Sequence, residues 1–366
     1  MKTIHMFVYN NINTDARVQR CVNTLSTEYS CLLYSLDQEW DNSNIANETL
    51  IPKGRNNFVQ YLNVLHQFMK LTAKKKCDIF YAHDFSSAPE AIYMKLSRKC
   101  GKLVYDAHEL FYPEENVHFS LRDYLFYFCE KWVIKHADVI ICAQSDRARI
   151  MKEHYKLPQL PVVVRNISIL PPCSHMQDKK LEKELLEYFD NNCITVVYAG
   201  AIEKERNIEA MIGAVKEYKE LPIRILLIGN GSYLGRLKEL VDSESMENVK
   251  FMPGIPYDQL SFVLSRCDIG YLSYTEERAN TRYCSPNKIY EYASVNLPII
   301  STGNETVKAL IQSFDIGVYS DNLSKALDLL IPRLEEVRSH CDDFLKSNSW
   351  DSEKIKLTEA VKTLRD

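Results

Sequence analysis

The residues best suited to chemistry lie in one run, Tyr283-Cys284-Ser285-Pro286-Asn287-Lys288-Ile289-Tyr290-Glu291. It reads as a loop entering a helix. Ser285 carries the hydroxyl of an N-cap. Pro286 suits the first helical position, where its missing N–H costs nothing. The amides of Asn287 and Lys288 would then be free at a helix start, which favours an anion. Lys288 adds a full positive charge. Glu291 comes three residues after Lys288 and four after Asn287, so all three lie near one face. Such a set is a phosphate cradle with a carboxylate one turn further in, able to accept from the two hydroxyls of a ribose. An ordinary amphipathic helix with a good cap is the plainer reading of the same spacing.

Two more polar groups follow short apolar runs in the first half: His83-Asp84, and Asp106-Ala107-His108-Glu109. His83 and Asp84 could face an acceptor, or Asp84 could simply cap the next turn. A nicotinamide enzyme would show G-x-G-x-x-G after its first strand. That turn here is Asn10-Asn11-Ile12-Asn13-Thr14-Asp15, and Gly229-Asn230-Gly231 lacks the third glycine. The Walker pattern and any D-x-D are absent, so neither a metal nor a resident cofactor is expected.

The elements that must position these residues follow from length and pattern. A chain of 366 residues is long for a single core, so two domains are expected. The net charge is −4. A slight positive excess before residue 176 marks the first half as the one to face an anionic partner or membrane; no nucleic-acid partner is expected. Eleven scattered cysteines without a C-x-x-C pair suit reduced thiols in a cytoplasm. No run nears the ~18 apolar residues of a membrane span, and the N-terminus reads as a buried strand rather than a leader.

In the first half, strands are expected at 4–9, 31–35, 79–82, 103–105, 139–143 and 162–164. Helices are expected at 17–28, 57–74, 88–99, 121–135 and 145–155. Ser168–Cys173, with two prolines, reads as a linker. The pattern then restarts, with strands near 194–198, 223–228, 249–251, 269–272, 299–301 and 317–319. This α/β alternation implies two Rossmann-like domains with a cleft near the carboxyl ends of their strands. The aromatic run Tyr124–Phe128 with Trp132 is expected to be core, or else a membrane-facing helix helped by Lys74-Lys75-Lys76.

Together these motifs resemble the retaining, family-4-type (group 1) glycosyltransferases of the GT-B fold, in their Ser-Pro-Asn-Lys form. In the second half the resemblance is carried by Val197-Tyr198-Ala199-Gly200 with Arg206-Asn207, and by Leu226–Gly231. It continues through Val249–Pro256, Cys267-Asp268-Ile269-Gly270 and the run from Tyr283. In the first half it is carried by Asn13–Val18, His83-Asp84, Val104–Phe111 and Val164-Arg165-Asn166. The resemblance implies an acceptor-side domain over 1–170, a nucleotide-sugar donor domain over 176–348, and a C-terminal helix over 349–366 packing back on the first domain. It implies transfer of a sugar from a nucleotide-diphosphate sugar to a hydroxyl, with retention at the anomeric carbon. The acceptor would be a glycan or a lipid-linked oligosaccharide, with peripheral contact at the inner membrane surface. A nucleotide-sugar epimerase on the same fold and a non-catalytic nucleotide-sugar-binding module are the alternatives.

By the same resemblance Arg206 and Lys288 stabilise the leaving diphosphate, and His108 faces the sugar. Arg206 could otherwise be a solvated charge in Glu203-Lys204-Glu205-Arg206, and Asp106 or Glu109 could do acid–base work. Asn13, Gly200, Gly231, Ile255, Tyr283, Ser285, Pro286, Asn287 and Glu291 would bind the donor. The backbone at Gly254-Ile255-Pro256 would meet the base, with uracil and guanine both open. His83, Asp84 and Glu109 would lie on the acceptor side, while Asp15 and Arg17 could form a helix-start ion pair. Two departures stand out. Tyr283 occupies the place of the first of the family's two glutamates. Ala201 replaces an arginine, and Arg206 stands where relatives have lysine, so Lys288 is expected to restore the second positive charge.

Overall fold

The computed structural model describes residues 1–40, 45–114, 118–189 and 193–364. The chain forms two compact units, Met1–Asn166 with Trp350–Asp366, and Ile167–Ser349. In the first, β1 (Thr3–Val8), α1 (Ala16–Leu25), β2 (Ser30–Leu36), β3 (Ala46–Leu50) and α2 (Asn57–Leu71) lead to β4 (Cys77–His83). Then come α3 (Ala88–Leu96), β5 (Cys100–Ala107), α4 (Leu121–His136), β6 (Val139–Cys142), α5 (Ser145–Tyr155) and β7 (Val162–Val163). The strands form one parallel sheet in the order β3-β2-β1-β4-β5-β6-β7.

The second unit runs α6 (Lys179–Phe189), β8 (Ile194–Ala199), α7 (Ile208–Glu217), β9 (Ile223–Ile228), α8 (Leu234–Ser243), β10 (Val249–Met252), α9 (Leu260–Leu264) and β11 (Ile269–Ser273). It continues with α10 (Ala279–Arg282), α11 (Asn287–Ala293), β12 (Ile299–Thr302), α12 (Glu305–Phe314), β13 (Gly317–Tyr319), α13 (Leu323–Leu330) and α14 (Leu334–Ser347). Its sheet is also parallel, ordered β10-β9-β8-β11-β12-β13. The last helix, α15 (Trp350–Lys362), belongs to the first unit.

The expected pair of Rossmann-like α/β layers is therefore what the chain forms. Central strands are apolar on both faces because helices cover both sides. In β8, Val197 and Ala199 join one core, while Val196 and Tyr198 join the core on the other face. Strand β3 was not anticipated: it reads Ala-Asn-Glu-Thr-Leu, only Leu50 is buried, and an edge strand needs no apolar run. In α15, Leu357 and Val361 join the core of Ile4, Val18 and Val22. Glu353 accepts from the Arg165 amide and Nε, each at 2.8 Å.

Several local expectations change. Helix α11 begins at Asn287, with Pro286 as its N-cap and no side-chain cap bond. Pro286 itself is extended, at ψ 133°, so the helix starts one residue later and Ser285 lies outside it. The Ser168–Cys173 stretch is not a loose linker. Ile167 and Leu170 are buried in the second unit's core, and Ser168 Oγ meets Tyr257 Oη at 2.5 Å. The aromatic helix α4 is split: Phe126 and Tyr127 are buried, whereas Tyr124, Leu125 and Phe128 are exposed. Lys74–Lys76 lie past the far end of α2 from Phe58, and Lys75 pairs with Glu48 at 2.8 Å. The cation on α4 itself, Arg122, lines a cavity with Phe58, Tyr61 and Phe126.

One buried ion pair joins distant parts of the first unit. Strand β5 delivers Asp106, which is fully buried. Arg17 of α1 donates from Nη2 to Oδ1 at 2.6 Å and from Nε to Oδ2 at 3.3 Å. Tyr81 Oη of β4 donates to Oδ2 at 3.1 Å, and Arg17 Nη1 reaches the Val164 carbonyl at 2.9 Å. Arg17 thus pairs with Asp106 rather than Asp15, which caps α1 by accepting from the Val18 amide. Burial pushes the Asp106 carboxyl up, but Arg17, His108 and His83 outweigh it and hold it at about 2. That stabilisation is complete above the ordinary carboxylate pKa and is lost as pH falls through about 2.

Arg17→Met should therefore cost roughly 3–5 kcal/mol at neutral pH, since it leaves a buried charge unpaired. A urea midpoint reads this directly. The deficit should shrink in acid, as Asp106 protonates in the variant, and adding Asp106→Asn should recover much of it. A deficit that ignores pH would assign Arg17 a packing role only. Close backbone approach makes a second case. Gly229 has φ +141°, and a Cβ there would overlap the Gly200 carbonyl. Gly229→Ala should cost about 3 kcal/mol, whereas Gly213→Ala, within α7 and with open space around it, should be neutral or stabilising.

Candidate functional site

In the second unit the strand order reverses between β8 and β11, and ligands of open parallel sheets bind beyond such a switch point. The polar residues gather there. After β8 the chain turns at Gly200 with φ +146° and reaches Arg206 at the end of a short 3-10 turn, Lys204–Arg206. After β11 comes Tyr274. The guanidinium of Arg206 lies 4.4 Å from the centre of the Tyr274 ring and hydrogen-bonds Tyr198. Tyr198 Oη in turn donates to the Ala201 carbonyl at 2.7 Å.

Lys288 also approaches Tyr198, its Nζ 5.6 Å from that ring's centre. Lys288 lies directly over Gly200, where any Cβ would collide with its ammonium end. Burial lowers the Lys288 pKa, while the Glu291 carboxylate one turn on favours the charge. Among the described residues, neither Arg206 nor Lys288 has a carboxylate within ion-pairing distance. Two cations therefore share one phenol without a direct ion pair to either, an arrangement suited to an anion with two charged groups.

The other donor-side candidates fall around this pair. Glu291 is buried, at 8 % exposure. Ser285, Asn287 and Tyr283 are half-buried, Pro286 is buried, and the Asn287 Oδ1 is buried without a partner. Asn304 holds their loop, donating to the Thr281 carbonyl at 2.8 Å and to Cys284 Sγ at 3.1 Å. Gly231 is exposed, but a Cβ there would overlap the Ile202 carbonyl, so Gly229-Asn230-Gly231 serves close backbone packing of β8 and β9. Ile255 follows β10 and packs on the same apolar core as Cys284.

In the first unit His83 and Asp84 end β4, and His108 and Glu109 follow β5. His83 Nδ1 faces His108 Nε2 at 3.3 Å, with Asp106 Oδ2 at 3.7 and 3.8 Å from the two nitrogens. Arg147 Nη1 donates to the His108 carbonyl at 2.8 Å and fixes its backbone. Burial lowers the pKa of both histidines, that of His83 to about 3, so both rings are neutral at pH 7. Asp84 sits at φ +65°, forms no cap bond, and leaves Oδ1 buried without a partner. Burial, then the charge of exposed Glu109, push its carboxyl up to about 8. Asn13 is exposed in the turn Ile12–Thr14, its amide donating to the Glu39 carbonyl at 3.2 Å.

His83, Asp106 and His108 present ligand atoms within 4.8 Å of one another, as do Asp315, Glu336 and His340. In the first set Arg17 and Tyr81 already occupy the Asp106 carboxylate, and a cation would meet the guanidinium. In the second, Arg333 bonds both Asp315 and Glu336. Tyr198, Tyr274, Tyr81 and the Arg17–Asp106 bond went unrecognised from sequence. For Tyr198 the signal was its place two residues before Gly200.

Comparison with known proteins bears on the family and the fold. The family model "Glycosyltransferase Family 4" matches residues 35–167 and "Glycosyl transferases group 1" matches 183–348. A curated relative, an uncharacterized glycosyltransferase of Methanocaldococcus jannaschii, is 22% identical over 292 residues, covering 76% of this chain and 70% of that protein. Sucrose-phosphate synthase from Thermosynechococcus elongatus superposes with a TM-score of 0.77 at 12% identity, covering 100% of this chain and 99% of that one. Anabaena HepE in complex with UDP and glucose does so with a TM-score of 0.76 at 13% identity, covering 99% and 100%. With matched models spanning most of both units, the chain belongs to the group 1, family-4-type glycosyltransferases of the GT-B fold.

Proposed function

We propose that this glycosyltransferase moves a sugar from a nucleotide-diphosphate sugar to a hydroxyl acceptor, with retention at the anomeric carbon and without a metal ion. The observation that carries the reading is the pair of cations, Arg206 and Lys288, that meet at Tyr198 without a direct ion pair to a carboxylate. Breaking the sugar–phosphate bond leaves negative charge on the diphosphate while positive charge grows on the sugar. Two desolvated cations aimed at that diphosphate stabilise the transition state more than the ground state. Glu291 takes the ribose hydroxyls, with Asn287, Tyr283, Ser285, Pro286, Gly231 and Asn13 around the donor and Ile255 beside the base. His108 meets the sugar; His83, Asp84 and Glu109 lie toward the acceptor. HepE is known with UDP-glucose bound, which supports a uridine donor as the first to assay.

Incubation with UDP-glucose and measurement of slow donor hydrolysis tests the reading. Release of glucose and UDP that persists in excess chelator is expected, and Arg206→Ala and Lys288→Ala should each lower it at least tenfold. Loss in chelator restored by magnesium or manganese would end the metal-free reading. Near-normal rates in both variants would end the assignment of the two cations.

The acceptor is a surface glycan or lipid-linked oligosaccharide, met at the cytoplasmic face of a membrane. Leu121, Tyr124, Leu125 and Phe128 of α4 and Phe58, Val59 and Leu62 of α2 are exposed. Of these, Phe58 lines a cavity of about 420 Å³ together with Tyr61, Phe126 and Arg122. Apolar side chains mixed with Arg122 suit an anionic bilayer, and eleven cysteines outside any disulfide suit a reducing compartment. Sedimentation with anionic vesicles should fall as salt rises and fall at least fivefold in Leu125→Gln/Phe128→Gln. Absence of binding at low salt would favour a water-soluble acceptor.

A further inference from the structure

Two imidazole rings meet at the ends of β4 and β5, and the hydrogen bonds of their four nitrogens do not balance symmetrically. His83 Nδ1 and His108 Nε2 are 3.3 Å apart, and both face the Asp106 carboxylate. One proton must lie between the rings. With none, two lone pairs would oppose each other beside a negative charge; with two, a pair of N–H bonds would. If the shared proton is on His108 Nε2, a neutral His83 must carry its own on Nε2. That atom is buried and has no partner, so an N–H would be orphaned there. If the proton is on His83 Nδ1, the atom left unmet is only a lone pair. Buried N–H donors are left unmet less often than acceptors. Burial keeps both rings neutral, as their lowered pKa values require.

We infer that His83 is a positioning residue that fixes His108 as the Nδ1–H tautomer, so that His108 offers its ligand a hydrogen-bond donor and not a base. The Nε2 edge of His108 is turned inward to His83 and Asp106. The ring retains 18% exposure, and Nδ1 is the nitrogen left to meet a ligand. Resting on the reading that His108 faces the sugar, this makes it a donor to a sugar hydroxyl oxygen, whose own hydrogen stays available to another acceptor. His108 cannot then take the acceptor's proton at Nδ1, because that nitrogen already holds one. Asp106, pinned by Arg17 and Tyr81, supplies the negative potential that keeps the shared proton in place.

The test is a long-range proton–nitrogen correlation spectrum of the full chain labelled with 15N-histidine, without substrate, at pH 7.5. Free imidazole favours the Nε2–H form, so the expected result is a departure: pyrrole-type Nδ1 and pyridine-type Nε2 in both His83 and His108. His83→Leu should return His108 to the Nε2–H form, now directed at Asp106. His83→Asn, whose amide can donate from nearly the same point, should keep the Nδ1–H form. A protonated Nε2 on wild-type His108, comparable populations of both tautomers, or a His108 tautomer unmoved by His83→Leu would each overturn the inference. The wild-type spectrum decides even if a variant fails to fold. Because no substrate is present, it stands or falls apart from the glycosyltransfer assay.

Discussion

Asp106 carries a full charge out of contact with water, and much of the first unit is arranged so that it can. A lone buried carboxylate would protonate. This one stays ionised because Arg17 reaches it from α1 with two bonds and Tyr81 from β4 with a third. The same guanidinium holds the Val164 carbonyl, so one ion pair joins a helix, two strands and the segment after β7. Buried pairs of this kind are weak evidence for net stability, yet breaking one is costly. What it secures here is placement. The carboxylate stands within 4 Å of both His83 and His108, so the charge that holds the core also orders the rings at the sheet's edge.

The second unit handles its charges in the opposite way. At the β8–β11 switch point, among the described residues, the cations make no direct ion pair with a carboxylate. Arg206 rests on Tyr274 and Tyr198, and Lys288 on Tyr198 and the bare face of Gly200. Aromatic faces hold a cation in place without neutralising it. Glycine at 200 is what allows the ammonium group to approach the backbone, and glycine at 229 is what allows β9 to close against it. A site for an anion needs such restraint, since an internal carboxylate would compete with the ligand.

Periodicity reveals the central strands and long helices because burial on both faces leaves a continuous apolar run, as in β1, β4, β5 and β9. It misses β3, where one face of an edge strand stays wet. Family motifs pick out His108, Arg206 and Lys288, but not what each touches. The partner of Arg17 is 89 positions away, and Asp15 nearby is the more natural guess. The Ser285 cap fails for a local reason: Pro286 is extended at ψ 133° and takes the N-cap place itself, so the helix begins one residue later than the spacing implies. Tyr198 looks like one more core aromatic until the fold sets two cations against it.

Ala201 and Tyr283 remove an arginine and a glutamate that relatives keep, and the geometry suggests how the arrangement remains workable. Ala201 gives its carbonyl to Tyr198, which orients the phenol between the remaining cations. Lys288 rises from α11 rather than from the β8 loop, so the two positive charges come from separate elements that a diphosphate could tie together. In the free protein a desolvated lysine is a cost, visible in its lowered pKa. An arriving anion would offset that cost. Adding a carboxylate beside Lys288 would therefore stabilise the empty protein and weaken its hold on the donor.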